Sequence, residues 1–204
     1  MKKICLFAAL LLAGCSGSSQ PAASQGSHAP DMYKVNMDTS KGLVVIEVHR
    51  DWAPLGADRF YELVKSGYYD GARFFRVLPG FMAQFGIAAD PKVTAKWKDA
   101  NLQDDPVKQS NTPGMLTFAT AGPNTRTTQM FINTGDNARL DGQGFAPIGK
   151  VTTGLDVVQG FYSGYGEGAP QGNGPAQGQI EEQGNSYLEK DFPQLDFIKK
   201  ATVQ

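Results

Sequence analysis

Apolar and polar residues alternate along Met32-Tyr33-Lys34-Val35-Asn36-Met37-Asp38 and again, with more β-branched side chains, along Leu43 to His49. Thr39 to Gly42 supplies a turn between them, so a period of two on both sides predicts a hairpin. The period changes at Pro54. Ala57, Phe60, Tyr61 and Val64 fall at i, i+3, i+4 and i+7, and Leu63 widens the stripe. This predicts an amphipathic helix that Pro54 opens, where its missing N–H costs nothing, and Gly67 stops. Ala72 to Leu78 and Phe81 to Gly86 read as strands around the turn Pro79-Gly80. Met115 to Thr120, Gln129 to Thr134 and Ala146 to Val151 read as three more. Residues 90 to 112 are polar, carry Pro91 and Pro106, and predict a long loop with room for a short helix. Thr153 is placed to cap a short helix over Leu155, Val157 and Val158. Ser163 to Asn185 is rich in Gly and Pro and predicts an extended surface loop, and Phe192 to Val203 predicts one helical turn and a closing strand. No internal repeat is visible. Eight short strands with helices at two separated places predict a mainly β fold, a closed eight-stranded antiparallel barrel capped by two helices.

The N-terminus follows different rules. Lys2 and Lys3 precede an unbroken apolar run from Ile4 to Ala13. A helix of that length covers ~15 Å, too short for a ~30 Å hydrocarbon core, so a secretory signal is expected and not a membrane span. The run ends Leu12-Ala13-Gly14-Cys15, which resembles the bacterial lipobox. The resemblance implies cleavage before Cys15 and lipidation of its sulfur. Ser16, where an Asp would favour inner-membrane retention, points to the outer membrane. Ser16 to Pro30 is rich in Ser, Ala, Gly, Gln and Pro without apolar periodicity, and reads as a flexible tether in which His28 is inert. The expected organisation is a signal peptide at 1–14, a tether at 15–30 and one folded domain at 31–204. That domain is expected to sit in the periplasm, lipid-anchored to the cell envelope through Cys15.

Composition removes several classes of chemistry. The 204 residues carry a formal net charge of −1, which gives no electrostatic ground for nucleic-acid binding. Cysteine and histidine occur twice each. A structural metal site or a disulfide framework needs more, so no metal and no cofactor are expected. No G-x-S-x-G occurs, and His49 reads as a half-exposed strand residue, so a Ser-His-Asp triad is poorly supported. Gly164-Tyr165-Gly166-Glu167-Gly168 comes close to a nucleotide-loop pattern, but its third glycine is misplaced; it reads as a flexible loop. Asp104-Asp105 lacks the spacing of a calcium loop and reads as solvated.

Three ordered blocks remain. The first, Phe74-Phe75-Arg76-Val77-Leu78-Pro79-Gly80-Phe81-Met82-Ala83-Gln84-Phe85-Gly86, is followed by Phe118-Ala119-Thr120-Ala121-Gly122-Pro123-Asn124-Thr125-Arg126-Thr127-Thr128-Gln129-Met130-Phe131-Ile132. The third is Leu140-Asp141-Gly142 with Ile148-Gly149-Lys150-Val151. Together they resemble the signature blocks of the cyclophilins. The resemblance implies peptidyl-prolyl cis-trans isomerase activity on proline-containing polypeptides, carried on an eight-stranded barrel; a monomer is expected. It implies that Arg76 is the catalytic guanidinium and that Phe81, Met82, Phe131 and Leu140 line a proline pocket. Gln84 would then hydrogen-bond a substrate carbonyl with support from Gln129. Ala119, Thr120 and Ala121 would present a backbone edge to the residue before proline.

The residue types suit that chemistry. Rotation about an X–Pro bond faces a barrier near ~20 kcal/mol. Twisting the amide frees the lone pair of the prolyl nitrogen, and a donor aimed at that nitrogen stabilises the twisted state selectively. A guanidinium offers several such donors and stays charged. The sequence departs from the family pattern in places. Phe75 stands where the signature has His, Thr120 where it has Asn, and Arg139 where Trp is common, which argues against tight binding of cyclosporin-type macrocycles. Gly144-Phe145 occupies the stretch of a pocket His, with Phe145 filling the same wall. Two rival readings are a binding module that grips X–Pro peptides without turnover and a structural lipoprotein on a recycled barrel. A pure binder has no use for the guanidinium, and a recycled barrel would lose several pocket residues together. The loops at 90–112 and 163–185 are expected to cover the barrel.

Overall fold

The computed structural model describes residues 28–204; the predicted signal peptide, Cys15 and most of the predicted tether lie outside the described residues. The chain folds as β1 (Met32–Thr39), β2 (Gly42–His49), α1 (Pro54–Lys65), β3 (Arg76–Leu78), β4 (Met82–Phe85), α2 (Pro91–Trp97), β5 (Met115–Phe118) and β6 (Met130–Asn133). A 3-10 helix (Ala138–Gln143), β7 (Pro147–Thr153), α3 (Leu155–Gln159), α4 (Gln177–Gln183), α5 (Asn185–Asp191) and β8 (Ile198–Val203) complete it. All strand pairs are antiparallel, in the order β3-β4-β6-β5-β7-β2-β1-β8.

The period-two segments pair as predicted. Tyr33, Val35 and Met37 of β1 and Val44, Ile46 and Val48 of β2 point inward. Helix α1 seals one end of this core with Ala57, Phe60, Leu63 and Val64. It approaches closely because residue 56 is glycine: a Cβ there would stand 2.9 Å from Ile148 Cγ2. Tyr33 Oη ties the helix to β1 by donating to the Ala57 carbonyl at 2.7 Å.

The expected closed barrel forms instead as an open half-barrel. β3 and β8 end the ladder, and between them run only an isolated bridge, Arg73 to Phe197, and flanking bonds such as Phe74 N–H to Asp196 O at 2.9 Å. The strand predicted over Ala72 to Leu78 is therefore split, and only Arg76–Leu78 joins β4. The split has a packing cause. Phe75 is buried outside the main core, in a second cluster with Ile87, Ile180, Tyr187, Leu188 and Leu195. Those partners come largely from α4 and α5, so the chain between 163 and 191 is not the extended loop the glycines suggested. It carries two helices docked on the barrel through Phe75, and the helix count exceeds the expected two.

Other expectations change locally. Thr153 ends β7, and Gly154, at φ 84°, takes the N-cap of α3. The turn predicted from Phe192 lies earlier, as α5. Asp105 is buried, not solvated: its carboxylate accepts from Leu55 N–H at 3.1 Å and Gly56 N–H at 2.9 Å and pairs with Arg126 at 3.1 Å. It thus caps α1, whose own N-cap, Ala53, has no side chain able to do so. The folded region begins before residue 31, since Ala29 is buried and its N–H donates to Asp58 at 3.0 Å. Among the described residues, no helix is long and apolar enough to cross a membrane.

Candidate active site

Antiparallel pairing assembles the site. Pro79-Gly80 turns β3 back into β4, with Gly80 at φ 72°. The register sets Arg76 opposite Gln84 and Gln84 opposite Phe131 of β6. Residues directly opposite share a sheet face, so guanidinium, amide and phenyl ring stand in one row.

Beside that row, Met82, Phe131 and Leu140 form a third apolar cluster with Leu78, Phe81, Ala119 and Phe145 at its rim. The pocket there has a volume of about 240 Å³. Its walls include Arg76, Phe81, Met82, Gln84, Phe131, Leu140 and Phe145, with Ala119 and Thr120 at one edge. Ala121 and Gln129 lie outside it. They line an adjoining hollow of about 250 Å³ with Thr125 and Thr127, and Gln84, Ala119, Thr120 and Gln177 border both. Every site residue named from the sequence other than Cys15 therefore falls in one continuous groove.

The polar groups form a chain. Arg76 Nη1 donates to Gln84 Oε1 at 3.0 Å, and Gln84 Nε2 donates to Gln129 Oε1 at 3.0 Å. Nη1 also faces the Met82 sulfur at 3.9 Å, a weak acceptor on the pocket wall. On its other edge Arg76 makes a bidentate pair with Glu167, Nε to Oε1 at 2.5 Å and Nη2 to Oε2 at 2.7 Å. Hydrogen bonding from Arg76 holds the Glu167 carboxyl below its usual range, against a smaller opposing effect of burial. Arg139 lies over the Phe81 ring, 4.8 Å from its centroid.

Sequence reasoning missed Glu167, which sits in the loop read as flexible, and Gln177, from the first turn of α4. It also missed the amides that brace the pocket. Asn137 Nδ2 donates to Phe81 O at 2.8 Å and to Asn133 Oδ1 at 2.7 Å, and Asn111 Nδ2 donates to Phe145 O at 2.8 Å. Asn111 and Asn137 are buried polar residues beside signature blocks, the only signal that could have marked them. Among the described residues, no group of three or more His, Cys, Asp or Glu is placed to hold a metal ion.

Comparison with known proteins agrees with this geometry. A family model described as "Cyclophilin type peptidyl-prolyl cis-trans isomerase/CLD" matches residues 34–182. The chain belongs to that family, the cyclophilin-type peptidyl-prolyl cis-trans isomerases. It is 38% identical over 132 residues to the peptidyl-prolyl cis-trans isomerase-like 1 of Rhizopus delemar, covering 62% of this chain and 78% of that one. It is 36% identical over 138 residues to a peptidyl-prolyl cis-trans isomerase of Acinetobacter baylyi, covering 65% and 73%. In fold it is similar to a cyclophilin-type isomerase of Cryptosporidium parvum, with a TM-score of 0.61 at 22% identity over 85% of this chain and 98% of that one. That protein has also been solved in the presence of the dipeptide Ala-Pro, and the likeness there has a TM-score of 0.60.

Proposed function

We propose that the groove isomerises X–Pro bonds in exported or envelope polypeptides and so assists their folding, with Arg76 as the catalytic donor. The observation that carries this reading is the row Arg76–Gln84–Phe131 beside a pocket walled by apolar side chains: a guanidinium at the rim of a space of about 240 Å³, which admits a proline ring with room for the flanking backbone. The ring enters between Phe81, Met82, Phe131, Leu140 and Phe145. The Nη1 edge of Arg76, whose second neighbour is only the Met82 thioether, then faces the prolyl nitrogen. As the amide twists, that nitrogen gains a lone pair it lacks in the planar ground state, so the hydrogen bond strengthens only on the way to the transition state. Gln84 holds the substrate carbonyl, and Gln129 fixes the orientation of its amide. Ala119 N–H is bonded to Gln129 O and Ala121 N–H to Thr125 Oγ1, so the edge meets substrate through Thr120 and through its carbonyls. No nucleophile, base or metal enters. An acceleration of ~10⁵ asks for only ~7 kcal/mol of differential stabilisation.

The setting belongs to the same proposal. A lipid on Cys15, with the segment between it and the folded domain as tether, keeps a monomeric domain near the envelope membrane, where newly exported chains still hold incorrect prolyl isomers. Exchange spectroscopy on a short Ala-Pro peptide tests the activity. Catalytic amounts of protein are expected to produce cis–trans exchange cross-peaks within a second, where the free peptide relaxes in tens of seconds. Peptide that binds without added exchange would favour the binding-module reading.

A further inference from the structure

We infer that Glu167 is the positioning residue for Arg76, and that the glycine loop around it is built to hold that one carboxylate in place; this rests on the isomerase reading of the groove. Residue 167 is far from Arg76 in sequence and belongs to no strand, so the contact depends on how the loop is anchored. Before Glu167, Tyr165 packs edge-on against Tyr162 and Phe192 at 5.0 Å each, which ties it to the cluster around Phe75. After it the chain folds back on Glu167 itself. Gly174 N–H donates to the Glu167 carbonyl at 2.8 Å, Ala169 N–H to Gly174 O at 3.1 Å, and Gly172 N–H to Gly168 O at 3.1 Å. A Cβ at Gly172 would overlap the Glu167 carbonyl oxygen, and one at Gly174 would stand 2.8 Å from it. Only glycine permits this wrap.

Both oxygens of the carboxylate are engaged, and both accept from Arg76. Oε1 accepts from Arg76 Nε at 2.5 Å and from Gly168 N–H at 2.9 Å, and Oε2 accepts from Arg76 Nη2 at 2.7 Å. Glu167 does not line the proline pocket. It grips the guanidinium by the edge away from substrate, while Gln84 and the Met82 sulfur mark the edge that faces it. The Arg76 side chain is 23% exposed and has a long, flexible stem. Without a second anchor the stem would sample several rotamers, and only some aim Nη1 at the prolyl nitrogen. A donor already in place stabilises the transition state without reorganising.

The test compares Glu167→Gln and Glu167→Ala with the wild-type protein and with Arg76→Ala, in a prolyl isomerisation assay that resolves kcat from KM. A displaced donor costs rate, not ground-state binding. Glu167→Ala is therefore expected to lower kcat about tenfold with KM changed less than twofold, and Glu167→Gln, which keeps one acceptor, to fall between it and wild type. The Arg76 Nε–H, which donates to Glu167, is expected to be protected from solvent exchange in the wild type and to exchange freely in Glu167→Ala. If Glu167→Ala does not fold, Gly172→Ala, which leaves both partners in the chain and disturbs only the wrap, carries the same expectation. Unchanged or increased kcat in folded Glu167 variants would overturn the inference while leaving the isomerase reading intact. An inactive wild-type protein, or full activity in Arg76→Ala, would overturn both.

Discussion

Gln84 faces Arg76 directly across the β3–β4 ladder, and its amide is held from both ends, by Arg76 Nη1 at 3.0 Å and by Gln129 Oε1 at 3.0 Å. Gln84→Leu keeps the volume and removes both bonds. It is expected to lower kcat/KM at least tenfold, about 1.4 kcal/mol of transition-state stabilisation. Gln129→Leu, one bond further from substrate, should cost less. Steady-state kinetics on one peptide ranks the two, and a larger loss in Gln129→Leu would contradict the order of the chain.

The Arg76–Glu167 pair sets a pH dependence. Glu167 titrates below its ordinary value of 4.5 because Arg76 donates to it. A carboxylate with a lowered value keeps its contribution above that range and loses it as pH falls through its own folded value. The kcat profile should therefore stay level from neutral pH down to about 4.5 and decline only below it. A decline centred near pH 6 would show that another group controls the rate.

Much of this was legible in the sequence because signature residues and sheet register coincide. Arg76, Gln84 and Phe131 are scattered along the chain, yet period-two patterning puts them on one face and antiparallel pairing puts them in one row. What the sequence hid depends on packing between distant segments. Phe75 reads as one more strand aromatic, and nothing local shows that it turns outward to dock α4 and α5. Glu167 sits among glycines that look like slack chain; their role appears only when the Glu167 carbonyl is seen filling the space where side chains would be. Asp105 looked solvated because no local pattern reveals that the N-terminus of α1 lies above it.

Arg139 bears on inhibitors. Its guanidinium lies over Phe81 at 4.8 Å, where family members commonly present an indole with an N–H donor and a flat apolar face. Cyclosporin-type macrocycles are expected to inhibit weakly, and Arg139→Trp to raise their affinity. Competition titrations on both proteins decide it, and tight binding by the wild type would show that the substitution is tolerated.

The anchor is tested at Cys15. Mass spectrometry of the N-terminal peptide from membrane-fractionated protein should find Cys15 as the first residue, carrying acyl chains whose burial contributes ~0.8 kcal/mol per CH₂. Cys15→Ser should leave unlipidated protein. An unmodified Cys15, or cleavage elsewhere, would refute the anchor without touching the isomerase chemistry.

The most direct test of the central claim is the kcat/KM of Arg76→Ala on an X–Pro peptide beside that of wild type, with thermal unfolding of both. Arg76 lies on the groove side of β3, so the variant should fold. Loss of its donor is expected to lower kcat/KM at least ~100-fold, equivalent to ~2.7 kcal/mol. A folded Arg76→Ala protein that isomerises the peptide at the wild-type rate would contradict the account.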